Sequence, residues 1–428
     1  MSAATLSPAT DPAAVQRLID RFAELSTTPA DQGVTRLGYS ALEREAHAVF
    51  AAHMESLGLP VRTDAAGNSF ASLAGTGNLP ALATGSHLDS VPRGGRYDGV
   101  AGVVAAMLAA TALSSRAEPP SHPMEFVVFA NEEGARFGQA CNGSRALAAR
   151  IGRDDLDRLH DADHVTLAQA MAEVGLDPDR IDEARLDPAD WAAFLELHIE
   201  QGNILAERGI QLGVVDTISG STRFRLVVHG VPSHSGGTPM NRRVDALVVA
   251  SRIVLAARTL ATDARHHGTR ITVGRMVVGP NSMTTIPGRV ELAVDVRDTD
   301  PARQRDAANE LVSEATGIAE QEGAHLDAEL ISDASPTVLP ARVTAASQAA
   351  IAELGYSHIV MASGASHDTQ LMNLICPAGM IFVPSGNGGV SHAPREWTAA
   401  PDIARGVDAL IATLLRLDRA PSPDGGAA

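Results

Sequence analysis

The chain has 428 residues, more than one ordinary core organises, so two domains are expected. Its 45 % hydrophobic and 20 % charged residues are the mix of a soluble globular protein, and a formal charge of −17 disfavours nucleic acid and anionic membrane as partners. Two cysteines, Cys141 and Cys376, make no disulfide framework and indicate a reducing, cytoplasmic setting, and no apolar run is long enough to span a bilayer.

Residues Met1 to Thr10 are small and polar and lack the basic and apolar regions of a secretory signal. Val15, Leu18, Ile19, Phe22 and Leu25 recur with helical spacing, and a second helical pattern runs from Ala41 to Leu57 and stops at Gly58. Val61 to Leu73 reads as strands around a turn at residues 65–68. Ala81 to Thr84 is a short strand leading into Gly85-Ser86-His87-Leu88-Asp89-Ser90, and an Ala/Val-rich helix is predicted from Gly99 to Leu113. Met124 to Ala130 is a nearly continuous apolar strand that ends at Asn131-Glu132-Glu133-Gly134. Strands alternating with helices predict an α/β layer with ligands at the carboxyl ends of strands.

The middle of the chain reads differently. Phe224 to His229, Thr269 to Val278 and Arg289 to Arg297 are strand-like, whereas Val244 to Leu260 and Pro301 to Glu322 are helical. That order predicts a small α+β (ferredoxin-like) domain with an antiparallel sheet. Beyond about Ile331 the α/β pattern returns, with a helix at Val343–Leu354, strands at Ile359–Ala362 and Met380–Val383, and a closing helix at Arg405–Leu417. The expected partition is a discontinuous α/β domain, residues 1–217 and 333–428, with residues 218–332 inserted, and hinges near Thr217–Ser221 and Ile331–Ser335. The tail, residues 421–428, is rich in Pro, Gly and Ala and is expected to be disordered.

His87, Asp98, Glu133, His198 and His392 are the candidate metal ligands, a histidine–carboxylate set that suits Zn²⁺, Mn²⁺ or Co²⁺. Five ligands exceed what one open catalytic zinc takes, so two ions sharing a carboxylate is the economical reading. The Glu132-Glu133 pair then divides into one ligand and one proton acceptor. Asp89, two residues after His87, is placed to hold the other ring nitrogen of that histidine.

The segments around His87, Asp98 and Glu132-Glu133, together with Glu196-Leu197-His198-Ile199-Glu200-Gln201-Gly202 and Ser391-His392-Ala393-Pro394-Arg395-Glu396, resemble the N-carbamoyl-L-amino-acid and allantoate amidohydrolase branch of the di-metal aminoacylase/carboxypeptidase superfamily. The His-Ile-Glu-Gln-Gly run is the specific part, because peptidase branches usually carry a carboxylate at the equivalent metal position. The resemblance implies that Asp98 bridges two divalent ions, with His87 and His198 completing one site and Glu133 and His392 the other. Glu132 is then the general base, Gln201 contacts the substrate's ureido or amide group, and Asp89, His367 and Glu396 support the site. Val231-Pro232-Ser233-His234-Ser235-Gly236-Gly237 resembles the segment whose histidine stabilises the oxyanion in a partner subunit's active site, which implies a homodimer. Asp295-Val296-Arg297 resembles the carboxylate-binding arginine, and the inserted domain becomes a lid and dimerisation domain.

Two departures stand out. Thr284 occupies a position where the family usually has asparagine, with Asn281 three residues earlier, and Ser366 stands where glycine is common. In relatives the first position helps hold the substrate carboxylate and the loop of the second lines the pocket, so both bear on specificity. The expected activity is hydrolysis of a linear ureido or amide C–N bond, as in N-carbamoyl-L-amino acids, allantoate or N-carbamoyl-β-alanine. The alternatives are an N-acyl-amino-acid deacylase or dipeptidase using the same ions, and a non-catalytic metal-binding protein. Intact Glu132 opposes the last of these, since a binding protein needs no base beside its ligands.

Overall fold

The computed structural model describes residues 9–420, so the expectations for residues 1–8 and for the 421–428 tail lie outside the described residues. The strands in chain order are β1 Val61–Thr63, β2 Ser69–Leu73, β3 Ala81–His87, β4 Met124–Phe129, β5 Trp191–Ile199, β6 Leu212–Ile218, β7 Gly220–His229, β8 Ser233–His234, β9 Arg270–Gly279, β10 Thr285–Ile286, β11 Arg289–Asp298, β12 His325–Ala334, β13 Thr337–Val338, β14 His358–Ser363 and β15 Ala378–Val383. They divide between two compact units. One runs through Asp216 and resumes at Leu339–Met361 and from His367 on; the other comprises Thr217–Val338 and Ala362–Ser366.

The first unit is built on a mixed sheet in the order β1-β2-β4-β3-β5-β15-β6, with β14 also beside β6. Its centre is parallel: β3 pairs with both β4 and β5, and β15 pairs with β5. Parallel strands need cover on both faces, which is why β3, β4 and β5 are almost entirely buried. The helix Val100–Ser114 is apolar all round and correspondingly buried. The helix Ala400–Asp418 instead buries one stripe, Ile403, Val407, Leu410, Leu414 and Leu417, at helical spacing. Asp11 caps the first helix, Pro12–Ala23, by accepting from the Ala13 N–H, and that helix buries Val15, Ile19 and Phe22 in the same core. Because four parallel strands run the same way, the carboxyl ends of β3, β4, β5 and β15 gather at one edge of the sheet.

The second unit has the connectivity strand–helix–strand–strand–helix–strand. β12, β7, β11 and β9 lie side by side in that order, all antiparallel. β11 alternates buried and half-exposed residues along its length. Val290, Leu292, Val294 and Val296 pack with residues of the helices Ala246–Ala261 and Pro301–Gln321, while Asp295 and Arg297 point to the other face. The last strand, β12, is absent from the sequence reading, and the segment expected as a hinge, residues 331–335, largely belongs to it. Nearly every residue of β12 is exposed, so it carries no hydrophobic alternation to read. A short ladder, β8 with β10, sets His234 opposite Thr285.

Candidate metal and catalytic site

Each ligand candidate of the first unit sits at the sheet edge where the parallel strands end. His87 is the last residue of β3 and His198 the penultimate residue of β5; Glu132 and Glu133 follow β4, and His392 lies in the loop after β15. Asp98 immediately precedes Gly99, whose φ of +64° turns the chain into the buried helix. A Cβ on Gly99 would lie 2.4 Å from the His87 ring, so that position is confined to glycine twice over. Asn131, Cys141, Gln201 and His392 all hold left-handed backbone conformations around the same site, a concentration of strain typical of functional loops.

Asp98 divides its carboxylate between two groups. Oδ1 lies 3.2 Å from His198 Nε2, and Oδ2 lies 3.1 Å from His392 Nε2, which is itself 3.3 Å from Glu133 Oε2. His87, Asp98 and His198 offer ligand atoms all within 4.8 Å of one another, and so do Asp98, Glu133 and His392. Glu132 Oε2 stands 3.7 Å from His87 Nε2. The five candidates and Glu132 therefore form one cluster.

The tautomers decide whether cations fit. His198 Nδ1 lies 2.9 Å from the Ile199 carbonyl and His87 Nδ1 lies 3.2 Å from that of Asp89, so each ring carries its proton on Nδ1. Each Nε2 faces carboxylate oxygens, and against burial these hold both rings above the usual histidine value, Glu132 and Asp89 acting on His87 and Asp98 on His198. Buried His198 Nε2 has no aligned hydrogen-bond partner despite its closeness to Asp98. A divalent ion between Nε2 and the carboxylates would take the place of the Nε2 protons. Without one, the charges rearrange. Burial, then the neighbouring Asp98 charge, pushes Glu133 well above the usual carboxylate range. Hydrogen bonding to Asp98 pushes His392 up to about 9 against burial. The donor set fits two divalent ions sharing Asp98.

The supporting residues hold backbone more than side chains. Asp89 accepts from the Glu132 and Glu133 N–H groups at 2.8 and 3.1 Å and lies 3.4 Å from His87 Nδ1. Glu396 accepts from the Tyr97 and Asp98 N–H groups at 2.9 and 3.1 Å and from Ser391 Oγ at 2.6 Å. Gln201 Nε2 donates to Asp98 Oδ2 at 2.7 Å, leaving its own Oε1 without a partner. His367 packs edge-on against His198, with ring centroids 4.5 Å apart.

Four residues received no role in the sequence reading. Glu43 accepts from the Asn131 and Tyr39 N–H groups at 2.7 and 2.6 Å and so braces the loop carrying Glu132. Cys141 donates its thiol to Glu132 Oε1 at 3.2 Å. Glu196, buried beside His198, accepts from Ser86 Oγ and Thr369 Oγ1. Asp368 accepts from Ser144 Oγ and is wholly buried. Glu196 alone had a signal: it lies two residues before His198 on one strand, hence on the same face.

The other candidates belong to the second unit. His234 Nδ1 accepts from the Gly236 and Gly237 N–H groups, both at 3.0 Å, which leaves Nε2–H as an outward donor. Arg297 donates to Asp295 at 2.8 Å and to the Gly364 carbonyl at 3.3 Å. Thr284 and Asn281 are exposed, and the Thr284 carbonyl accepts from the Ser235 N–H. Ser366 is half-buried at the end of the 362–366 segment.

The model of peptidase family M20/M25/M40 matches residues 83–416, a span that holds all five ligand candidates. The chain belongs to the M20 family. It is 38 % identical over 404 residues to the N-carbamoyl-L-amino acid amidohydrolase of Geobacillus stearothermophilus, covering 94 % of this chain and 97 % of that one. It is 37 % identical over 389 residues to the allantoate amidohydrolase of Bacillus subtilis, covering 91 % and 93 %. Among solved structures, that of AtUAH in complex with glyoxylate superposes with a TM-score of 0.89 at 34 % identity, covering 96 % of this M20 chain and 99 % of that one.

Proposed function

We propose that the protein hydrolyses the ureido or amide C–N bond of a small linear substrate bearing a carboxylate, with N-carbamoyl-L-amino acids, allantoate and N-carbamoyl-β-alanine as the first candidates. The observation that carries this reading is the Asp98 carboxylate shared between the His198 and His392 sides with Glu132 alongside. Its relatives named N-carbamoyl-L-amino acid amidohydrolase and allantoate amidohydrolase support the same bond type. His87, His198 and Asp98 would hold one ion, and Asp98, Glu133 and His392 the other, with Zn²⁺, Mn²⁺ and Co²⁺ all compatible. Such ions, when bound, polarise a carbonyl and acidify water.

Glu132 takes the proton of the attacking water and returns it to the departing nitrogen. Burial, only partly offset by His87, raises this carboxyl above its usual value. Asp89 and Glu43 fix the backbone that aims Glu132. Gln201 presents an unpartnered amide oxygen suited to a ureido N–H. The Nε2–H of His234, supplied by a partner subunit, stabilises the oxyanion, which makes the inserted unit a lid and a dimerisation element in a homodimer. Arg297 selects the carboxylate; Thr284, Asn281 and Ser366 bear on substrate specificity, and His367 and Glu396 hold the ligands. No helix among the described residues is long and apolar enough to cross a membrane.

The test is a panel of N-carbamoyl-L-amino acids, N-carbamoyl-β-alanine, allantoate, N-acetyl-amino acids and dipeptides with added Mn²⁺, Co²⁺ or Zn²⁺. Faster turnover of the ureido compounds is expected. Faster turnover of a dipeptide would reverse the assignment.

A further inference from the structure

The helix-free face of the second unit's sheet carries an unbalanced group of arginines. β9 and β11 set Arg270 directly opposite Arg297, and β11 and β7 set Asp295 directly opposite Arg223. Asp295 is the counter-charge to two of these three guanidiniums, at 2.8 Å from Arg297 and 3.4 Å from Arg223. Arg270 forms no ion pair among the described residues, although the chain has 51 acidic residues against 34 basic ones. Its guanidinium ends at the 362–366 segment, where a Cβ built on Gly364 would lie 3.1 Å from Nη1. The carbonyl of that same Gly364 accepts from Arg297 Nη1. Two guanidiniums thus converge on one residue with no acid assigned to the second.

Like charges directly opposed across a ladder cost stability. That cost is offset when an anion lies between them. We propose that Arg270 is a specificity-determining residue that reads a second carboxylate on the substrate, beside the one held by Arg297, so that the preferred substrate is a ureido dicarboxylic acid. The inference rests on the hydrolase reading above and on Arg297 facing the substrate's carboxyl end.

The test separates binding from turnover. Metal-loaded Glu132→Gln protein is titrated calorimetrically with N-carbamoyl-L-glutamate and with its neutral isostere, N-carbamoyl-L-glutamine. One charge-assisted pair corresponds to about 10- to 100-fold tighter binding of the diacid. Adding Arg270→Ala should collapse that preference at least about tenfold, with Arg270→Lys intermediate because a point charge replaces the fork. Equal affinities in the Arg270-containing protein, or a preference that survives Arg270→Ala, would overturn the proposal. Hydrolysis of both compounds by the wild-type enzyme is scored separately: cleavage of the neutral isostere at the higher kcat/KM overturns the specificity, whereas cleavage of neither, alongside turnover of dipeptides, overturns the reaction class.

Discussion

Replacing Asp89 with alanine probes how the site is assembled without touching any group proposed to hold an ion. Its buried carboxylate accepts two backbone N–H groups, those of Glu132 at 2.8 Å and Glu133 at 3.1 Å, and it flanks His87 Nδ1. Alanine leaves both amides buried and unpaired. An orphaned buried donor costs about 1–3 kcal/mol, so the metal-free protein should lose roughly 2–6 kcal/mol. Asparagine retains one acceptor oxygen and turns an NH₂ toward the other amide, so Asp89→Asn should lose about half as much. Both variants also loosen the orientation of His87 and Glu133, and support of this kind is worth about 10- to 100-fold in metal affinity. Urea unfolding of EDTA-treated protein measures the first effect, and competition with a chromogenic chelator measures the second. Metal-free stability within about 0.5 kcal/mol of wild type, combined with unchanged metal affinity, would refute the claim that Asp89 organises the Glu132–Glu133 turn.

Three further outcomes are expected. Glu132→Gln should keep its metal content by elemental analysis while turnover falls about 10²- to 10⁴-fold, the usual worth of a positioned general base; retained activity would remove Glu132 from that role. Gly99→Ala, which meets both a left-handed φ and the His87 ring, should lower metal affinity and cost about 1–3 kcal/mol by thermal unfolding, and a neutral result would contradict the packing described at that turn. Buried His47 is held well below its usual value of 6.5 by burial first and then by the Arg44 and Arg36 charges. The unfolded chain therefore takes up a proton that the folded one refuses, so stability is full above pH about 6.5 and falls below it by at most about 1.4 kcal/mol per pH unit. His47→Asn should flatten that part of the stability profile, and an unchanged slope would exclude the contribution.

Much of the site was legible because its chemistry sits where apolar strands end. His87 and Glu132–Glu133 each follow a buried run, and that coincidence survives without any knowledge of the sheet. The supporting contacts were opaque for a physical reason. Glu43 lies 88 residues from Asn131 and Glu396 lies 298 from Asp98; a carboxylate spent on a distant backbone N–H leaves no local periodicity. β12 was missed because an exposed edge strand needs only backbone pairing with β7, which composition does not record. The excursion of short helices between residues 142 and 184 went unread as well, since each helix is too brief to establish a 3.6-residue stripe. Arg270 was invisible for a different reason: its meaning depends on the register that sets it opposite Arg297.

The measurement that bears most directly on the account is anomalous diffraction from crystals grown with Mn²⁺ or Zn²⁺. Two peaks per chain are expected, one among His87, Asp98 and His198 and the other among Asp98, Glu133 and His392. A single peak, or ions bound away from Asp98, would contradict it.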